Sequence, residues 1–146
     1  MTAPEPRRLL IVEDSEADIE LLREALAEAD PEVVIDIARH GEEALSFLRR
    51  EPPFADAPRP DLVLLDLNLP RVSGFEVLEA LRADHDPQLR RMPVVVFTTS
   101  GNRADVERSY DLHASGFITK PTGFDEYLET VRALRDFWLR VAQLPS

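Results

Sequence analysis

"DLVLLDLNLP", residues 61–70, decides the fold. Val63, Leu64 and Leu65 are apolar in succession, the pattern of a strand covered on both faces, as in parallel sheets packed between helix layers. The run stops on a carboxylate, Asp66. Ligands of open parallel sheets bind beyond the C-terminal ends of the strands, so an acid at that place is a candidate functional group. Asp also opens turns through its own hydrogen bonds, and taken alone Asp66 fits either role.

Working outward, Leu9–Val12, Val33–Ile37, Val94–Thr98 and Gly116–Ile118 join Leu62–Leu65 as five expected strands. Helical patterns lie between and after them, near Ser15–Ala29, Gly41–Arg49, Gly74–Ala83, Arg103–His113 and Asp125–Leu144. Strict alternation of strand and helix implies an α/β domain whose parallel sheet has right-handed crossovers and helices on both faces. "EPPFADAPRP", with four of the twelve prolines, is expected as a surface loop before the third strand. Residues 1–7 are expected to be a flexible end, and 8–146 a single domain with an extended last helix.

With 146 residues the chain buries roughly two thirds of the surface exposed on unfolding, so packing alone suffices for stability. Cys is absent, which excludes disulfide frameworks and thiolate metal sites. With no apolar stretch of membrane-spanning length and no signal-like segment, a cytoplasmic protein without membrane contact is expected. Seventeen Lys and Arg stand against 28 Asp and Glu, a net charge of -11 that disfavours direct binding to nucleic acid.

The other strand ends match Asp66. "LLIV" runs into Glu13 and Asp14, so three carboxylates are able to share one pocket. Capping explains part of this, with Asp14 or Ser15 starting the helix and Asp18 completing a capping box. Converging carboxylates about 4 Å apart nevertheless repel by roughly 4 kcal/mol at an effective dielectric near 20. A cation is needed among them, and Mg²⁺ suits oxygen ligands of this kind. Thr98 ends the fourth strand and Lys120 follows the fifth. A hydroxyl and an ammonium beside a metal-bound Asp make a phosphoryl site, Thr98 donating a hydrogen bond and Lys120 neutralising non-bridging oxygens.

"VEDS", "LLDLNLPRVSGFEVL", "PVVVFTTS" and "GFITKP", in that order, resemble the receiver domains of two-component response regulators. The resemblance covers Arg8 to the end. It implies a sheet of order 2-1-3-4-5 and makes Asp66 the phosphoacceptor for a phosphohistidine on a sensor histidine kinase. It implies Mg²⁺ held by Asp14 and Asp66, by the backbone carbonyl of Asn68, and by Glu13 through water. Thr98 matches the switch hydroxyl, Phe117 the switch aromatic without the frequent Tyr hydroxyl, and Lys120 the phosphate-binding lysine, with a cis bond to Pro121. Glu13 departs from the commoner Asp, lengthening the outer ligand. The proline-rich loop and "DFWLRVAQLP" resemble the single-domain regulators of phytochrome-type kinases, so a bacteriophytochrome is the implied partner.

Such a protein is no enzyme in its own right, though it takes part in phosphotransfer and is able to dephosphorylate itself. Two rivals are a receiver-like scaffold that is never phosphorylated and an aspartyl-phosphate phosphatase. The phosphatase wants a second Asp two residues after its nucleophile, where this chain has Asn68. A nucleotide-binding α/β domain would need a Gly-rich loop after a strand, and the absence of GxGxxG and GxxxxGK[ST] in a chain with five glycines disfavours that reading. The chain closes on its fifth helical pattern, so output by association or onward phosphotransfer is expected.

Two surfaces are expected to bind protein. On the first helix Ile19, Leu22, Ala25, Leu26 and Ala29 make the core stripe and leave Ala17 and Leu21 on another face, which the resemblance makes the kinase contact. On the last helix Tyr127, Val131, Leu134, Trp138 and Val141 are expected to face the sheet. Phe137, Leu139 and Leu144 then point where the sheet cannot cover them, which predicts a homodimer through that helix.

Overall fold

A computed structural model describes residues 7–145. The elements run β1 (Arg8–Val12), α1 (Glu16–Ala29), β2 (Val34–Ala38), α2 (Gly41–Arg49), β3 (Leu62–Leu65), α3 (Gly74–Arg82), α4 (Pro87–Arg90), β4 (Val94–Thr98), α5 (Arg103–Asp111), β5 (Gly116–Thr119) and α6 (Phe124–Asp136). The strands form one parallel sheet in the order β2-β1-β3-β4-β5, as expected. Short α4 was not foreseen; Asp86 caps it, and Pro87 begins it with φ already set for a helix.

The unbroken apolar runs split their side chains between two layers because successive strand residues point to opposite faces. Leu10, Val12, Val63, Leu65 and Val94 pack with α2 and α3 through Phe47, Leu48, Val77, Leu78 and Leu81. Leu9, Ile11, Leu62, Leu64, Val95 and Phe97 pack with α1 and α6 through Leu22, Leu26, Tyr127, Val131 and Leu134. Each Leu or Phe so covered contributes about 1.5–3 kcal/mol. Edge strands β2 and β5 are only half buried.

The helices begin where capping side chains stand. Ser73 and Glu76 close a reciprocal capping box on α3, Asn102 caps α5, and the Nδ1 of His40 accepts from Glu43 N–H at 3.1 Å on α2. Gly74 tucks α3 under the chain after β3: a Cβ there would collide with the Asp66 carbonyl oxygen and lie 2.7 Å from Leu67 Cα. Among the residues of α5 only Ser109 is buried, and Arg108 lies 4.2 Å from the Phe75 ring centroid.

The C-terminal helix corrects the expected pattern. Regular α-helix stops at Asp136, and Phe137–Val141 continue as a π-helical turn in which Ala142 N–H donates to Phe137 O at 2.7 Å. An i→i+5 turn carries one residue more than an α-turn and shifts the phase of the stripe. Leu139, five residues after Leu134, is therefore core at 5% exposure, while Val141 is 73% exposed. Of the expected dimer residues, Phe137 is 53% exposed and Leu144 half buried, but Leu139 is not on the surface. Trp138 packs on the α1–α6 layer and meets Phe137 edge to face at 5.1 Å.

Of the N-terminal stretch expected to be flexible, residues 1–6 lie outside the described residues. Arg7 donates to the carbonyls of Trp138 at 3.4 Å and Ala142 at 3.0 Å, tying the start of β1 to the π-turn. Leu21 also differs from expectation: it is half buried against the α1–α6 layer, whereas Ala17 is exposed.

Candidate phosphoryl site

Four side chains reach one point because the ladder continues past the strand ends. Glu13 N–H donates to Ala38 O, Asp66 N–H to Val12 O and Lys120 N–H to Thr98 O, at 3.0, 3.0 and 2.7 Å. Each of the three is the first residue after its strand, held in sheet register, and Thr98 is the last residue of β4. All four are buried.

Lys120 Nζ stands at the centre, 2.6 Å from Glu13 Oε2 and 3.1 Å from both Asp18 Oδ2 and Asp66 Oδ2. The other oxygen of Asp66 accepts from Thr98 Oγ1 and from Asn68 N–H, each at 3.0 Å. Asn68 Nδ2 lies 3.5 Å from Thr98 Oγ1. Glu13 Oε1 accepts from Asp14 N–H and Ser15 N–H, both at 3.1 Å, closing the turn into α1.

Two acids share this interior unequally. Burial pushes Glu13 up to about 7, and its hydrogen bond with Asp66 works the same way against the pull of Lys120. Burial also acts to raise Asp66, but it is outweighed by the hydrogen bonds from Glu13 and Asn68 N–H and by the Lys120 charge, so its carboxyl lies below the ordinary value. Lys120, which burial would discharge, is held charged by Glu13 and Asp66. Of the two acids Glu13 is therefore the one that takes up a proton first as pH falls, while Asp66 stays ionised.

Glu13, Asp18 and Asp66 each offer an oxygen within 4.8 Å of the others. The donors are hard oxygens with more negative charge than one ammonium balances, which fits Mg²⁺ or Mn²⁺. Asp14 is exposed and is not among the three carboxylates that meet here, whereas Asp18 is. The reason is local: Ser15 N–H is satisfied by Glu13, so Asp18 need not reach back to complete a capping box. Ser15 Oγ still accepts from Asp18 N–H at 3.3 Å, half of that motif. The signal for Asp18 was available, since one turn of helix sets it over the acidic end of β1, but its position also suited a cap.

Asn68 is exposed beside the group, and Phe117 is half buried against Leu67, Phe75 and Val96. The expected cis bond is corrected: among the described residues the cis peptide is Pro52–Pro53, and Lys120–Pro121 is trans. Lys120 N–H is still paired to Thr98, and Nζ reaches all three acids with the trans bond that an X–Pro amide intrinsically prefers. Tyr127 OH is buried without a partner among the described residues, and burial raises its pKa. The helical stripe placed Tyr127 toward the sheet, but gave no sign that its hydroxyl would lack a partner.

Comparison with known proteins places these residues in context. A family model described as the response regulator receiver domain matches residues 9–132. Response regulator Rcp1 of Synechocystis sp. is 40% identical over 141 residues, covering 97% of this chain and 95% of that protein. The crystal structure of the phosphorylated cyanobacterial phytochrome response regulator RcpA is similar with a TM-score of 0.90 and 45% identity, over 97% of this chain and 99% of the other. The Mn²⁺-bound form of Rcp1 gives a TM-score of 0.88 at 40% identity, over 97% and 100%. Among the described residues no helix is long and apolar enough to cross a membrane.

Proposed function

This chain belongs to the response regulator receiver family, and we propose that Asp66 accepts a phosphoryl group from a phosphohistidine on a sensor histidine kinase. The observation that carries this is the handling of the Asp66 carboxylate, with Oδ1 held by Thr98 Oγ1 and Asn68 N–H and Oδ2 by Lys120. An ionised oxygen of Asp66 attacks phosphorus, the P–N bond breaks, and the imidazole leaves with the electron pair and takes a proton. Lys120 and Thr98 offer the charge and the hydrogen bond that spread oxygens require as negative charge shifts onto them. Water attacking the same phosphorus returns the carboxylate and frees phosphate, which resets the protein.

Glu13, Asp14, Asp66 and the Asn68 carbonyl would hold Mg²⁺, which neutralises phosphoryl oxygens when bound. Convergence of Glu13 and Asp66 supports this set, and Asp14 adjoins Glu13 in the chain. Thr98 following the phosphoryl group, with Phe117 turning further inward, is the proposed switch. The likeness to regulators named for phytochromes supports a phytochrome-type kinase as donor. Exposed Ala17 and the uncovered part of Leu21, on the helix that begins at the site, are its proposed contact. Phe137 and Leu144 remain the proposed homodimer surface, joined by Val141. A cytoplasmic location and the absence of nucleic-acid binding complete the proposal, the latter supported by the net charge of -11.

Incubation with Mg²⁺ and a small phosphodonor, followed by mass spectrometry, tests the reading. One phosphoryl group is expected on Asp66, and none on Asp66→Asn. Modification of Ser100 with Asp66 free would refute it.

A further inference from the structure

At the opposite end of the sheet from Asp66 lies an open cavity of about 470 Å³, lined by Arg7, Arg8, Arg50, Arg59 and Arg91. It sits beside the starts of β1, β3 and β4, through Arg8, Asp61 and Met92. Five of the sixteen arginines thus meet in one place in a chain of net charge -11. The one acid in the lining, Asp61, accepts the backbone N–H of Arg8 at 2.7 Å.

Three of these guanidinium groups are fixed by the fold. Arg7 is held by the carbonyls of Trp138 and Ala142, Arg50 by that of Ala57, and Arg59 by Leu48 O together with Asp86 and Gln88. Arg50 takes a left-handed backbone conformation (φ 57°) to cap α2, so its place follows from the helix end. A guanidinium has five N–H donors, and Arg50 uses one of them and Arg7 two. The side chains of Arg8 and Arg91 have no acidic or carbonyl partner among the described residues. Solvated arginines on a surface are ordinarily spread apart or paired with acids; here five converge on a recess and, among the described residues, only Arg59 has an acid partner, Asp86, an arrangement that favours a multiply charged anion.

We propose that this cavity binds the polyphosphate of a nucleoside di- or triphosphate. Its volume lies in the range of small-molecule sites. Arginine forks suit phosphate oxygens, and Pro58, Pro60 and Met92 supply an apolar wall for a base. Neither a Gly-rich loop nor Mg²⁺ is needed for charge recognition of this type. The proposal is independent of phosphotransfer to Asp66, because no residue of that site lines the cavity.

Isothermal titration calorimetry of the full chain in excess EDTA, with ATP, ADP, adenosine and inorganic pyrophosphate as probes, provides the test. ATP and ADP are expected to bind one to one, more weakly as salt is added, with pyrophosphate about tenfold weaker and adenosine silent. Arg91→Gln and the pair Arg8→Gln with Arg91→Gln should each lose about tenfold or more in ATP affinity while keeping the thermal midpoint, since those side chains hold nothing else in place. Arg103→Gln, at an arginine whose side chain is 91% exposed elsewhere, should bind as the parent does. Lack of saturable ATP binding up to millimolar concentration would overturn the proposal, as would parent-like affinity in the double variant. Pyrophosphate binding as tightly as ATP would overturn the nucleotide assignment.

Discussion

Replacing Lys120 by Met keeps the volume of the side chain and removes its charge, and the consequences differ with pH. The ammonium is 4% exposed and touches Glu13 and Asp66, at 3% and 8%, as well as Asp18, at 36%. The Asp18 contact is open to water and is worth at most about 1 kcal/mol. Two carboxylates remain buried without their cation, and loss of one partner of a buried pair costs about 3–5 kcal/mol. Asp66 in the parent is depressed from its ordinary 3.8, so the stability it contributes is present above 3.8 and lost as pH falls through its folded value. Glu13 is raised from 4.5 to about 7, so its contribution is present below 4.5 and lost as pH rises through about 7. In Lys120→Met the depression of Asp66 disappears and the penalty on Glu13 grows. The variant should therefore fall short of the parent by about 3–5 kcal/mol in urea unfolding at pH 8 with EDTA, and by less than half of that at pH 5, where Glu13 carries its proton. Millimolar Mg²⁺ at pH 8 should restore stability to the variant more than to the parent, because it meets the charge that Lys120 supplied. An equal deficit at both pH values would show that the cost is one of packing and refute the electrostatic account.

The π-turn predicts that Leu139→Ala loses about 2–4 kcal/mol and Val141→Ala under about 0.5, measured by chemical denaturation; the reverse order would restore a regular α-helix to residues 137–141. In Mg²⁺ titrations Asp14→Ala should weaken binding by about tenfold or more, whereas Asp18→Ala should change it little; equal losses would give Asp18 the ligand role. Sedimentation at tens of micromolar should find the parent dimeric and Phe137→Glu monomeric, and a monomeric parent would remove the proposed interface.

The inner strands were legible because both faces of the sheet are covered there, which leaves Val94–Phe97 and Leu62–Leu65 unbroken by polar residues. Asp66, Thr98 and Lys120 were legible for the same reason: a polar residue ending such a run is located by the run itself. Glu13 was found likewise, but its conversion into the proton-bearing member of the pair depends on burial and on distances that a sequence does not carry. Asp18 was read as a cap alone because acids at a helix start serve capping and ion pairing alike, and its turn toward Lys120 depends on which N–H groups Glu13 already satisfies. Leu139 and Val141 were exchanged because a stripe counted at 3.6 residues per turn cannot register an added residue, whose presence is decided by packing against α1 and the sheet. The arginine cavity draws on five separated segments and shows no local pattern.

The scarcity of buried side chains in α5 has a kinetic consequence. Amide hydrogens exchange with solvent deuterium at rates set by the free energy of local opening, and that energy derives largely from the apolar contact broken when a segment detaches. Detaching α1 exposes Ile19, Leu22, Ala25 and Leu26, while detaching α5 exposes Ser109. The protection of α5 should therefore collapse first, long before global unfolding. Because this helix begins five residues beyond Thr98, the least protected segment of the sheet's covering is also the one that a change at the Asp66 hydroxyl partner reaches first.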